Sequence, residues 1–271
     1  MIYFNGERMN DPQIDYFPDG TIAFNNLEDF GLQLLENVYL NTHVLVWYFD
    51  HMGELFELIA LTDWIRQYST DKIELVLPYI PNARMDRLKD KTDVFTLKTF
   101  CRLINDCTFD KIHVWSAHSP VSLALLNNVI NDEPVVTWLD SQTRYYDTIF
   151  LPDEGAVKRF GDLIKRFDLN VVTAMKERDW KTSQIKKLTV LGDESFIKDK
   201  RIIILDDLCS KGGSFKFAAI ELKKLGAKDI DLFVTHCENV IDTKSLVEAG
   251  IRNVYTTSSI WRKNDPIVHV I

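Results

Sequence analysis

Arg201-Ile202-Ile203-Ile204-Leu205-Asp206-Asp207, followed closely by Lys211-Gly212-Gly213-Ser214, joins an aliphatic run to two carboxylates and a glycine turn. The aliphatic run after Arg201 reads as a strand buried on both faces, the habit of a parallel sheet. The glycine pair and Ser214 read as the opening of a helix over residues 214–225, which Gly226 ends. Asp206 and Asp207 then sit at the carboxyl end of the strand, the edge at which open α/β sheets take up ligands. Glycines let backbone N–H groups approach a phosphate, a helix N-terminus adds partial positive charge, and Ser214 supplies a hydroxyl. Two adjacent carboxylates suit a vicinal diol or a hydrated magnesium ion. The same residues also describe an Asp-rich turn with a serine cap and no ligand, so locally both alternatives stand.

Outward from this turn, short aliphatic runs alternate with segments of helical spacing, the pattern of parallel strands joined by crossover helices. Strands are expected at 2–5, 44–48, 73–77 and 112–115, then at 148–151, 171–174, 202–205, 229–234 and 253–256. Helices are expected at 54–68, 96–106, 157–167 and 214–225. The fold class is α/β. A length of 271 residues suits two α/β units, and the boundary is placed at 141/142. Hydrophobic residues at 46% and charged residues at 27% fit a folded chain with a sizeable core. A formal charge of -8 gives no general attraction to nucleic acid or anionic lipid, which points to small-molecule partners. Cys101, Cys107, Cys209 and Cys237 show no CxxC spacing and are read as reduced thiols. The start Met1-Ile2-Tyr3-Phe4-Asn5-Gly6-Glu7 turns polar at once and no apolar run approaches membrane-span length, so the expected location is the cytoplasm.

Further motifs lie along the chain: Phe17-Pro18-Asp19-Gly20, Pro78-Tyr79-Ile80-Pro81-Asn82-Ala83-Arg84-Met85-Asp86-Arg87, His118, Pro152-Asp153-Glu154-Gly155-Ala156-Val157-Lys158-Arg159, Lys176-Glu177-Arg178 and Thr235-His236. Together with the Asp206 turn, and in this order, they resemble the ribose-phosphate diphosphokinases, or PRPP synthetases, over nearly the whole chain. The resemblance implies two similar phosphoribosyltransferase-type domains, each with a parallel central sheet flanked by helices. Residues 1–141 would form the ATP-binding domain and 142–271 the domain carrying the ribose 5-phosphate loop. It implies transfer of the β,γ-diphosphate of ATP to the C1 hydroxyl of a ribose 5-phosphate unit with release of AMP, and a requirement for Mg2+. By resemblance Phe17 and Asp19 form an adenine-recognition loop that reaches a neighbouring subunit's nucleotide, which implies a homo-oligomer, dimer or hexamer. Arg84, Asp86 and Arg87 are implied in ATP binding, and His118 in contacts with the ATP phosphates and metal. Asp153 is implied as a magnesium ligand, and Lys176 and Arg178 as the basic residues of a catalytic loop. Asp206, Asp207, Ser210, Lys211, Gly212, Gly213 and Ser214 are implied in ribose-phosphate binding. Without the resemblance, Arg84 and Arg87 also fit a solvated salt-bridge cluster with Asp86 and Asp90. His118 also fits a surface or packing histidine, and Lys176 to Arg178 an ordinary basic loop.

Several positions depart from the family pattern: Thr21 stands for a glutamate, Met85 for a glutamine, Ser116-Ala117 for Asp-Leu and Ala156 for a glycine. Ser210-Lys211 stand where the phosphate loop has Asp-Thr, which makes this anion site more positive by about two formal charges. Two acceptors follow. Lys211 holds the dianionic phosphate of free ribose 5-phosphate, giving PRPP, or it grips the diphosphate bridge of ADP-ribose, giving ADP-ribose pyrophosphate for NAD rebuilding. A phosphoribosyltransferase would share the Asp206 turn without needing segment 78–87, and a non-catalytic regulatory relative would not need Lys176 and Arg178.

Overall fold

The computed structural model describes residues 1–8, 14–25, 41–88, 90–178 and 185–271. The chain divides into two compact units, Met1–Asp132 and Glu133–Ile271.

The first unit holds β1 (Ile2–Phe4), β2 (Glu7–Arg8), β3 (Ile14–Tyr16), β4 (Ile22–Phe24) and β5 (Thr42–Trp47). They are followed by α1 (Glu54–Tyr68), β6 (Lys72–Leu77), α2 (Thr96–Asp106), β7 (Lys111–Trp115), α3 (Pro120–Leu125) and β8 (Val129–Asp132). The main sheet has the order β2-β1-β5-β6-β7-β8, with β5 to β8 mutually parallel. In β5 and β6 alternate residues are buried, so each strand turns one face to a core. That core joins Leu45, Trp47, Ile73, Leu75, Leu77, Ile112 and Val114 to the apolar stripes of α1 (Leu58, Leu61, Ile65) and α2 (Phe100, Ile104). Because successive parallel strands are added in one direction, the loops after β5, β6 and β7 open along one carboxyl edge. The strands β3 and β4 form a separate antiparallel hairpin.

The second unit holds α4 (Pro134–Gln142), β9 (Thr148–Leu151), α5 (Glu154–Phe160), β10 (Asn170–Arg178), β11 (Ile185–Leu191) and β12 (Arg201–Cys209). It continues with α6 (Gly213–Lys224), β13 (Asp229–Cys237), α7 (Thr243–Glu248), β14 (Ile251–Thr256) and β15 (Val268–Val270). Its sheet has the order β11-β10-β9-β12-β13-β14-β15. The chain leaves β9 toward β10, then returns to β12 on the other side of β9. The connections after β9 and β12 therefore diverge, and a topological switch point opens at their carboxyl ends. Two cores flank the sheet. Ile202 and Ile204 pack with Phe215, Ala218, Ala219 and Leu222 of α6, while Ile203 and Leu205 pack with Ala156 and Phe160 of α5. The unbroken aliphatic run of β12 is thus buried on both sides.

Several expected bounds move. The division falls upstream of residue 141, because Trp138 of α4 packs against Phe233 and Tyr255 with ring centroids 4.9 and 4.8 Å apart. The helix expected over 157–167 begins at Glu154, since Asp153 caps it by accepting the Ala156 N–H at 3.0 Å. It stops at Phe160 and gives way to a tighter 3-10 turn at Leu163–Arg166. The helix after Gly212 starts at Gly213, and Ser214 lies inside its first turn instead of capping it. Strand β12 continues through Asp206 and Asp207 to Cys209, where the Cys209 and Cys237 backbones pair side by side. All four cysteines are free and buried.

Candidate active site

Alternation along β12 settles where its two carboxylates go. Asp207 shares the parity of Ile203 and Leu205, which face α5, and there the Arg159 guanidinium of α5 is ion-paired with Oδ1 of Asp207. Arg159 also lies 3.8 Å from Asp206 Oδ1. Asp207 is 3% exposed. Asp206 stands on the other parity, and burial pushes its carboxyl well above the usual carboxylate range, helped by the negative charges of Asp207 and Asp153. Asp206 lies within electrostatic reach of Asp207 and Asp153, and basic side chains pair with this group of carboxyls.

Lys176 is one of these side chains. Its Nζ is 2.7 Å from Asp153 Oδ2, and its side chain is 5% exposed. Burial works to raise the Asp153 carboxyl, but the Lys176 charge and hydrogen bond overcome it and hold the group below its ordinary value. Lys176 sits on β10, paired to Leu188 of β11. It belongs to a strand hairpin and not to the loop implied by resemblance. Arg178 ends β10, and its side chain lies outside the described residues. The outer flank of this corner is a cleft lined by Asp153, Val157, Thr173, Met175, Lys176 and Leu191.

Beyond Cys209 the chain makes the glycine turn. Gly212 has φ +86°, a left-handed torsion that suits glycine, and a Cβ there would meet the Leu246 side chain at 3.1 Å. No side chain caps α6. The N–H groups of its first turn, with the Ser214 hydroxyl, are thus presented as an anion cradle at the head of the helix. Gly213 borders open space and Lys211 is exposed at the turn. The Lys211 carbonyl accepts the Asp242 N–H at 3.2 Å, which ties the turn to the segment before α7.

In the first unit Arg84, Asp86 and Arg87 follow the carboxyl end of β6, and His118 follows that of β7. Ser119, after β7, donates from Oγ to Asp86 Oδ2 at 2.7 Å and accepts the Val121 N–H at 3.2 Å. This staple joins the segment after β6 to the turn carrying His118. Arg87 lies 3.6 Å from Asp86, as the salt-bridge alternative anticipated, yet its side chain is 74% exposed, and Arg84 is exposed too. His118 is half-buried, placed by the sharp turn at Ser116, whose φ is +39°. Asn82 donates to Met52 Sδ at 3.6 Å, linking the same segment to the loop after β5. Phe17 and Asp19 form the tip of the β3–β4 hairpin, where Asp19 Oδ1 accepts the Thr21 N–H at 2.9 Å. The Tyr16 hydroxyl donates to Glu57 of α1 and moors the hairpin. A cleft between hairpin and helix is lined by Tyr16, Asp19, Gly20, Thr21, Gly53 and Phe56.

The contacts thus join Asp86 to the turn carrying His118 in the first unit, and Asp153 to Lys176 and Asp207 to Arg159 in the second. Arg159 closes the 152–159 motif, but neither the motif nor its place in the last turn of a helix disclosed its pairing with Asp207. Ser119 was missed as well, though its place before Pro120 marks a helix start. Among the described residues no three His, Cys, Asp or Glu side chains form a metal-binding group. No helix among them is long and apolar enough to cross a membrane.

A phosphoribosyl transferase domain model matches residues 136–265, which lie within the second unit. The ribose-phosphate pyrophosphokinase of Campylobacter jejuni is 29% identical over 191 residues, covering 67% of this chain and 59% of that protein. That of Thermococcus kodakarensis is 24% identical over 260 residues, covering 93% of this chain and 88% of that protein. The chain's match thus spans less than two thirds of the first of these relatives and most of the second. The crystal structure of phosphoribosylpyrophosphate synthetase from Mycobacterium smegmatis superposes with a TM-score of 0.70 at 19% identity, over 95% of this chain and 84% of that one. This likeness shows that the fold is shared.

Proposed function

The chain belongs to the ribose-phosphate pyrophosphokinase family, and from that premise we propose that it transfers the β,γ-diphosphoryl group of ATP to the C1 hydroxyl of a ribose 5-phosphate unit. The observation that carries the proposal is the convergence of Asp153, Lys176, Asp206 and Asp207 with the uncapped glycine turn at one switch point. Asp206 and Asp207 accept hydrogen bonds from the ribose diol, and residues 210–214 hold the 5-phosphate. Arg84, Asp86, Arg87 and His118, with Phe17 and Asp19, serve ATP. The C1 oxygen attacks the β-phosphorus in line, the bond from that phosphorus to the oxygen bridging the α-phosphate breaks, and AMP leaves with the bridging oxygen. Such a transfer needs alignment and charge neutralisation more than covalent help. Lys176 and Arg178 oppose the negative charge that grows on the transferred group and on AMP.

A protein cage is not needed for magnesium, which prefers one or two carboxylates together with phosphate oxygens and water. Asp153, kept ionised beside Lys176, fits that donor set, with His118 as the second residue of the proposal. Bound there, the ion would neutralise phosphate charge.

The acceptor carries its 5-phosphate either free or esterified as in ADP-ribose, and the exposed cation Lys211 at the turn serves both. The family resemblance further supports a cytoplasmic homo-oligomer, dimer or hexamer, and Phe17 at 57% exposure is available to a neighbouring subunit. The test supplies magnesium ATP with ribose 5-phosphate or ADP-ribose and identifies products by mass spectrometry. A C1-diphosphorylated acceptor from either one is the expected result, and failure with both overturns the proposal.

A further inference from the structure

We propose that Arg159 is the positioning residue of the acceptor site, holding Asp207 and Asp206 side by side in the arrangement that receives the ribose diol. This rests on the diphosphokinase reading of the site, but the contacts behind it are independent of that reading. Asp206 and Asp207 are neighbours on β12 with Asp153 close by, an arrangement in which like charges push one another apart. One nitrogen of the Arg159 guanidinium, Nη1, is ion-paired with Asp207 and stands 3.8 Å from Asp206, so a single fixed charge faces both groups.

Arg159 is itself fixed. Its side chain is 15% exposed, and its Cζ lies 5.8 Å from the ring centroid of Phe160, a fully buried residue. Its helix α5 is anchored at the other end by Asp153, which caps the helix through Oδ1 and binds Lys176 through Oδ2. A single seven-residue helix therefore carries the proposed metal carboxylate at its cap and the clamp on the diol carboxylates in its last turn. Arg159 meets the carboxylates from the α5 side of the sheet, opposite the face on which α6 packs, so it acts through Asp206 and Asp207 without touching the sugar's phosphate.

The experiment compares wild-type protein with Arg159→Met and Arg159→Lys, using thermal unfolding to confirm the fold of each. Loss of the guanidinium should raise the acceptor KM by about tenfold or more while the ATP KM stays within about twofold. Arg159→Lys keeps the charge without the guanidinium and should recover part of that loss, remaining severalfold above wild type. An acceptor KM unchanged in Arg159→Met overturns the inference, as does an equal rise for both substrates in a folded variant. If Arg159→Met does not fold, an unchanged acceptor KM in Arg159→Lys overturns it. A second readout needs no turnover: in protein labelled at the aspartate carboxyl carbons, with assignments from Asp206→Asn and Asp207→Asn, both resonances should move in the Arg159 variants. Unmoved resonances overturn the positioning role even if wild type forms no product, whereas moved resonances with an inactive wild type overturn only the diphosphokinase reading.

Discussion

Gly212 holds a left-handed torsion with Leu246 packed against the place where a Cβ would stand. Gly212→Ala should therefore lower stability by about 1–3 kcal/mol, through torsional strain and the displaced leucine, read as a lower denaturant midpoint at unchanged slope. Its neighbour Lys211 is proposed to act on substrate, and its exposed side chain leaves the fold independent of it. A charge-assisted hydrogen bond to phosphate contributes about 1.5–3 kcal/mol, so Lys211→Ala should raise the acceptor KM by about tenfold or more and spare both the ATP KM and the unfolding midpoint. Lys176 has the opposite signature. On the proposed role of its charge in opposing that of the transferred group, Lys176→Met should depress kcat by about a hundredfold while ATP binding persists. At this scale the sequence disclosed what residue type alone conveys, such as glycines, adjacent carboxylates and a basic triplet. It concealed what Arg159 pairs with, because the partner of this helix residue lies on a distant strand and no local spacing encodes it.

Among the elements, those with unbroken aliphatic runs were legible, as the strands near 202–205 and 229–234 show. Their true ends were not. Strand β12 runs on through two aspartates and β10 through Lys176 to Arg178, because backbone pairing with a neighbouring strand does not require apolar side chains. The β3–β4 hairpin was visible only as its Pro18-Asp19-Gly20 turn, and its mooring, Tyr16 on Glu57, joins residues far apart in sequence. That mooring has a pH signature. The hydrogen bond to Glu57 comes first among the causes that push the Tyr16 phenol up to about 12 from an ordinary 10.0, followed by burial and the Glu57 and Glu54 charges. With the folded value above the unfolded one, the contact adds stability that is fully present below pH 10 and is lost as pH rises through about 12. Titrating phenolate absorbance in wild type and Tyr16→Phe should give a difference curve centred near 12, and one centred near 10 would show that the hairpin is not moored there.

For the whole molecule, each unit owns a complete hydrophobic core. Phe150, Ile202, Ile204 and Leu222 on one side of the second sheet, and Ile149, Ile203, Leu205 and Phe160 on the other, all come from Glu133–Ile271. That fragment, expressed alone, should unfold cooperatively with its secondary structure intact, as circular dichroism through a thermal ramp would show. The two-unit organisation was legible from length and strand rhythm, whereas the division at Asp132 depended on the aromatic packing of Trp138, a long-range contact. In the proposed reaction two phosphoryl groups leave ATP together. ATP labelled at the β-phosphorus, supplied with magnesium and each acceptor, reports this through the fate of the label. Unlabelled AMP and a labelled acceptor diphosphate in equal amounts are expected, and label retained in ADP rules the reaction out.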